Sequence, residues 1–200
     1  MELDEVVRRR RMVRNYDADR PVPAEAVDRL LDHAVRAPSA GFSQGWGFLV
    51  LESAADRERF WEATTPEDWG QGRWLEGMKR APLIVVPHAN QSAYLDRYAE
   101  PDKGWTDRDP ARWPVPYWHI DTGFAALLMM LTAVDEGLVS CFFGIPPERT
   151  HTYREAFDVP SVFTPIGALT VGYPAPDRRS PSLKRGRRPV EQVVHRGRWS

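Results

Sequence analysis

The sequence predicts a domain in which helices and strands are mixed around one long internal helix. Three observations carry that expectation. The apolar stretch GFAALLMMLTAV at 123–134 suits a buried core helix and falls well short of the roughly 20 residues that a membrane span needs. Shorter apolar runs rich in β-branched and aromatic residues recur at 46–52, 81–89, 138–146 and 165–174, the composition of strands. Between these runs lie segments whose apolar residues are spaced by three and four, as on one face of a helix.

In chain order, 2–11 carries Leu3, Val6 and Val7 at helical spacing on a charged background. Pro23 opens a stronger helix with the stripe Val27, Leu30, Leu31, Ala34 and Val35, and Pro38 closes it. WGFLVLE (46–52) reads as a strand, and Ser53 as the N-cap of a short surface helix. APLIVVPHA (81–89) is a continuous apolar run, fitting a central strand buried on both faces. From Asn90 to Trp118 the pattern gives way to Tyr, Trp, Asp and Pro, so 90–118 is expected to be a lid insert or a disordered connection. The core helix is expected over Asp121 to Gly137, with the glycine at C′. A strand at 138–146, a short helix from Pro147 to Phe157 and a last strand at 165–174 follow. The tail 175–200 is rich in Pro and Arg and reads as an extended arm; it either wraps a neighbouring subunit or is disordered.

Composition excludes several function classes. A chain of 200 residues with a formal net charge of -1 has no global basic field to hold nucleic acid or an anionic membrane. The single cysteine, Cys141, rules out an intramolecular disulfide framework and is compatible with a cytoplasmic setting. Its apolar strand context favours a buried, inert thiol over a nucleophile. His88, His119, His151 and His195 show no metal-ligand spacing, and no metal site is expected. Asp17 and Asp19 read as turn residues.

Two cationic clusters stand out against the balanced charge. RRRRMVR (8–14) places Arg10, Arg11 and Arg14 where a helix ends, and KRGRRP (184–189) places Arg185 and Arg187 near the other terminus. The planar guanidinium fork suits phosphate, so the two could converge on one anion. Taken alone, each also reads as a solvated surface run. A third stretch, Pro38-Ser39-Ala40-Gly41 before the first strand, is a small-residue turn whose backbone could approach a flat ligand closely.

Together these stretches resemble the nitroreductase family of FMN-dependent NAD(P)H oxidoreductases. RRMVRNY (10–16) stands in place of a motif like R-R-S-x-R-x-[FY], and APSAGFSQGWGFLV (37–50) in place of A-P-S-x-x-N-x-Q-P-W-x-F-x-V. EGLVSCFFGIPPE (136–148) matches a G-L-G-S-C-type turn. GYP (172–174), RGRRP (185–189) and EQVVH (191–195) match the family's last motif. The order and spacing cover nearly the whole chain.

The resemblance implies an α+β fold, a central, mostly antiparallel sheet flanked by helices, in an intertwined homodimer with FMN at the subunit interface. It implies that Arg10, Arg11, Met12 and Arg14 contact the phosphate and ribityl chain, joined by Arg185 and Arg187. Pro38, Ser39 and Ala40 would approach the flavin from the other subunit, with Gln44 supporting that loop, while Phe143 and Gly144 present backbone amides to the ring. Hydride would pass from NAD(P)H to a nitroaromatic, quinone or similar planar acceptor, with no catalytic side chain required. Gly41, Phe42, Trp105 and Trp113 are candidates for the acceptor side, because aromatic rings stack on planar molecules; each tryptophan also reads as a core or dimer contact.

Departures from the pattern are specific. Met12 replaces the usual serine, Phe42 the usual asparagine and Gly45 the usual proline. Trp74 and Gly77 stand near an asparagine and lysine pair that serves the flavin in some members. These changes leave open a flavin-binding, flavin-storing or flavin-modifying protein of the same fold. A basic-tailed interaction protein is the reading that remains without the resemblance.

Overall fold

The computed structural model describes residues 1–69, 72–177 and 180–199. Alternation along the central strand explains the layering. Strand β2 (Leu83–Asn90) is buried at every position but its last, as its continuous apolar run requires. Leu83 and Val85 pack with helices α2 (Ala24–Ala34) and α6 (Tyr117–Asp135), whereas Ile84 and Val86 point to the opposite layer. That second layer holds Phe60 and Trp61 of α3 (Ala54–Thr64), Leu75 and Met78 of α4 (Arg73–Lys79), and Tyr153 of α7 (Thr150–Ala156). Two helical layers thus sandwich one sheet, the solution open to strands apolar on both faces.

The sheet runs β1 (Trp46–Leu51), β2, β5 (Ala168–Gly172), β3 (Val139–Phe143), with β4 (Phe163–Pro165) pairing β2 off that path, and all named pairs are antiparallel. One row across it reads Leu51, Ile84, Thr170, Cys141.

Local chemistry sets the helix ends. The Ser53 side chain accepts from the Asp56 amide at 3.0 Å, the expected cap of α3. That helix buries Phe60, Trp61, Ala63 and Thr64, so it is a wall of the core and not only a surface element. At the end of α6, Gly137 takes φ 72, and the amides of Gly137 and Leu138 reach Val134 and Ala133 at 3.0 and 2.7 Å. This closes the helix where the glycine indicated. Its start differs: α6 begins at Tyr117, one turn before Asp121.

The segment after Asn90 also differs from expectation. Asn90 caps helix α5 (Gln91–Ala99), its side chain accepting from the Ala93 amide at 3.3 Å. Only the stretch after Ala99 is irregular, apart from a short turn at Pro110–Arg112. The tail carries short turns at Pro181–Arg185 and Val190–Gln192 and is exposed almost throughout. Within the expected arm 175–200, Arg178, Arg179 and Ser200 lie outside the described residues. No helix among the described residues is long and apolar enough to cross a membrane.

Candidate functional site

The arginine segment is an added edge of the sheet. The Val13 amide donates to the Ser140 carbonyl at 3.1 Å, and Met12 bridges Ser140 in parallel fashion, so residues 12–13 lie along the free side of β3. Tyr16, fully buried, donates to the Val13 carbonyl at 2.8 Å and meets Thr170 Oγ1 at 2.9 Å. Burial holds its phenol well above the ordinary value, so it stays a donor. On the other side, Asp177 Oδ2 accepts from the Arg14 amide at 3.0 Å, and Asn15 Nδ2 donates to the Pro176 carbonyl at 2.8 Å. The backbone that carries the cations is therefore fixed on both flanks.

The cations themselves divide into two groups. Arg8 and Arg9 pair with Asp4 and Glu5 within helix α1 (Leu3–Arg9), at 2.8 and 2.9 Å. Among the described residues no carboxylate forms a salt bridge with Arg10, Arg11 or Arg14, and Arg10 and Arg14 are half-buried. Uncompensated guanidinium groups on a rigid edge are what an anion site requires. A groove of about 750 Å³ opens beside Arg14, which lines it with Asn15, Trp74, Gly77, Asp177 and Ser180 among others.

Phe143 and Gly144 end β3 on the same edge of the sheet. The Phe143 ring turns inward and stacks on Trp61, with centroids 5.5 Å apart and planes 7° from parallel. Its backbone, not its ring, is what a ligand would meet. Gly144 is exposed, and a Cβ there would touch nothing within 4 Å, leaving room for a flat molecule.

The Pro38–Gln44 loop is built from inside. The Ala40 amide donates to Asp121 Oδ2 at 2.8 Å, the Gln44 amide to Ser39 Oγ at 3.0 Å, and Arg97 Nε to the Gly41 carbonyl at 2.9 Å. Gly41, Phe42 and Gln44 all take positive φ, at 60, 57 and 49°. Phe42 consequently projects outward and is 75% exposed. Gly41 lies so close to the Tyr98 ring that a Cβ would sit 2.6 Å from it.

Tyr98 links this loop to the expected acceptor tryptophans. Its centroid lies 4.9 Å from Trp105 and 4.5 Å from Trp113. Trp113 also packs against Tyr94, Tyr117 and Trp118, so most of its surface serves that cluster. Gly41, Phe42, Trp105 and Trp113 thus share one corner of the molecule. Trp69 and Trp74 form a separate pair at 5.3 Å beside the groove.

Arg185 and Arg187 are exposed, and no carboxylate among the described residues forms a salt bridge with them. The surrounding arm exposes Leu183, Val190, Val193, Val194 and Trp199, and α6 exposes Phe124 and Leu127. Cys141 is buried, which pushes its thiol above the ordinary value, in keeping with an inert role.

Sheet order separates the two halves of the site. The Pro38–Gln44 loop enters β1 at one edge, while the arginine segment lines β3 at the other, four strand steps away, or roughly 19 Å at the usual spacing. Along the strands, Met12 is level with Ser140, Val171 and Leu83, about 20 Å from the start of β1. The loop and the cations occupy diagonal corners of one chain.

Sequence reasoning missed Asp121, Tyr94 and Arg97 as the supports of the loop, and Asp177 as the support of Arg14. Asp121, an acid at the head of the apolar run 123–134, was the one legible signal.

Residues 7–173 match the family model described as the Nitroreductase family. The chain is 29% identical over 206 residues to an NADH dehydrogenase of Thermus thermophilus, covering 93% of this chain and 91% of that protein. It is 27% identical over 177 residues to a candidate NADH dehydrogenase/NAD(P)H nitroreductase of Methanothermobacter thermautotrophicus, covering 88% of this chain and 78% of that one. Among solved structures, a nitroreductase-like protein of Streptococcus mutans superposes with TM-score 0.75 at 17% identity, covering 98% of each chain. A candidate nitroreductase of Exiguobacterium sibiricum, solved in complex with FMN, superposes with TM-score 0.71 at 20% identity, covering 94% of this chain and 97% of that one. The structural likenesses establish the fold: the α+β nitroreductase architecture expected from the motifs.

Proposed function

The chain belongs to the nitroreductase family, and from that premise we propose that it is an FMN-dependent oxidoreductase drawing on NAD(P)H, with each flavin held between two copies of the chain. One observation carries the reading: three uncompensated arginines fixed on the β3 edge, diagonally opposite the loop that matches the family's flavin-facing motif. A single chain cannot close both corners on one ligand, whereas a second copy can bring its loop to the first copy's cations. The exposed apolar face of α6 and the apolar arm supply surface for that pairing. The names of the Thermus and Methanothermobacter relatives, and the FMN in the Exiguobacterium structure, support the same chemistry.

The residues fit the group. Arg10, Arg11 and Arg14 neutralise the phosphate, and Arg185 and Arg187 reach it from the arm. The backbone at Phe143 and Gly144 faces the ring, where the open space over Gly144 admits it. Pro38, Ser39 and Ala40 of the second copy cover the other side, and the Gln44 amide, held by Ser39, keeps that turn closed. Met12 lies among the cations without a hydroxyl to offer. FMN held there would supply the redox chemistry, with NAD(P)H as the electron donor. No side chain of this chain need donate or accept a proton. Gly41, Phe42, Trp105 and Trp113 border the space for a planar acceptor such as a nitroaromatic or quinone, and the irregular part of 90–118, between α5 and α6, is its lid.

A second reading, a flavin-holding protein with little turnover, is favoured by Phe42. Its exposed ring stands on the flavin-facing loop where an acceptor would stack. Titrating purified protein with FMN, then following NADPH oxidation with an added quinone or nitroaromatic, separates the two. Bound FMN with acceptor-dependent oxidation supports the oxidoreductase. Bound FMN without it leaves the second reading, and no FMN binding removes both.

A further inference from the structure

We propose that Tyr94 and Asp121 are positioning residues that fix the Pro38–Gln44 loop in its flavin-facing shape, an inference that rests on the reading of the site above. Asp121 is 3% exposed within the first turns of the apolar helix α6. Among the described residues no cation forms a salt bridge with it. A buried carboxylate without a cation is costly unless strong donors satisfy it. Both donors it finds converge on Oδ2: the Ala40 amide at 2.8 Å and the Tyr94 hydroxyl at 2.8 Å. Tyr94 is itself fully buried, and burial together with the bond to Asp121 raises its phenol above the ordinary value, so it donates throughout the working pH range.

The loop needs such an anchor. Gly41, Phe42 and Gln44 all take positive φ, which is ordinary for the glycine but sparsely populated for the other two, and for a phenylalanine it persists only where surroundings impose it. Asp121 takes hold at Ala40, immediately before the first of these residues.

The same anchor explains a departure from the family pattern. A Cβ on Gly45 would lie 2.6 Å from the Tyr94 ring and 2.8 Å from the Asn90 carbonyl oxygen. The usual proline cannot stand at 45 while Tyr94 occupies its place. Gly45 and Tyr94 are one coupled solution, in which a rigid residue within the loop is exchanged for a clamp beneath it.

The test compares Tyr94→Phe, Asp121→Asn and Asp121→Leu with the wild type. Two readouts apply: the FMN dissociation constant from fluorescence quenching, and amide hydrogen exchange at residues 40–44 in the flavin-free protein. Tyr94→Phe is expected to raise the FMN Kd about tenfold and to speed exchange in the loop. Asp121→Leu, which removes the acceptor of both bonds, is expected to exceed it. Asp121→Asn keeps an acceptor oxygen and should recover most of the affinity. Unchanged Kd values across the set, or equal losses whether or not an acceptor remains, would overturn the assignment. Wild-type protein that binds no FMN would overturn the reading of the site itself, and with it this role, a result distinct from wild-type binding with indifferent variants. If Tyr94→Phe fails to fold, the Asp121 pair decides the matter by the same comparison.

Discussion

A Cβ on Gly77 would lie 2.2 Å from the Arg14 carbonyl oxygen, so helix α4 presses directly on the backbone that carries the cations. Gly77→Ala would gain up to about 1 kcal/mol of helix propensity, against about 1–3 kcal/mol for overpacking against backbone. The clash wins. The variant is expected to lose stability in urea and, because Arg14 must shift, to bind FMN more weakly.

In the proposed site Arg10→Ala and Arg14→Ala would each remove a charge-assisted hydrogen bond to the phosphate, worth about 1.5–3 kcal/mol, so each should weaken FMN binding about 10- to 100-fold. Because loop and cations occupy diagonal corners of one chain, the defects should complement. Gly41→Val disrupts the loop, where φ is 60 and the Tyr98 ring leaves no space. Heterodimers of Gly41→Val with Arg10→Ala/Arg14→Ala chains should recover one intact site in two. Mixed dimers that bind no better than either parent would place the site within one chain.

Met12→Ser restores the hydroxyl that the family motif carries at this position. Met12 is exposed beside the arginines, so the change opens no core cavity. One added hydrogen bond of about 1 kcal/mol predicts about fivefold tighter FMN, read by equilibrium dialysis. Weaker binding would mean that the thioether packs on the ligand.

His88 sets a pH dependence. It is 4% exposed, meets Tyr153 Oη at 2.9 Å, and burial lowers its pKa from 6.5 to about 4. Between those values the unfolded chain binds a proton that the folded chain does not, so stability is full above 6.5 and falls as pH drops toward 4. The loss from pH 7.5 to 5 should be about 2 kcal/mol, from ~1.4 kcal/mol per pKa unit. Urea midpoints at both pH values check it; in His88→Gln this component of the slope should vanish.

Much of this fold was legible because its signals are local. The run at 81–89, the Ser53 cap and the glycine after α6 each encode their element within a few residues. Helix α5 was not legible, because NQSAYLDRYA lacks a clear apolar stripe. Its aromatic residues are claimed by tertiary partners, Tyr94 by Asp121 and Gly45, Tyr98 by Gly41. The cations and the loop were legible as motifs, while their placement at opposite sheet edges followed only from strand order. The clamp at Asp121 was hidden for the same reason, since its partners come from distant parts of the chain.

The decisive experiment is the visible absorption spectrum of the FMN-loaded protein, recorded without oxygen before and after adding NADPH or NADH. An FMN-dependent oxidoreductase should be a yellow protein whose flavin band bleaches on addition of the nicotinamide and returns when a quinone is admitted. A protein that takes up no FMN, or one that stays yellow with either nicotinamide, would contradict that function.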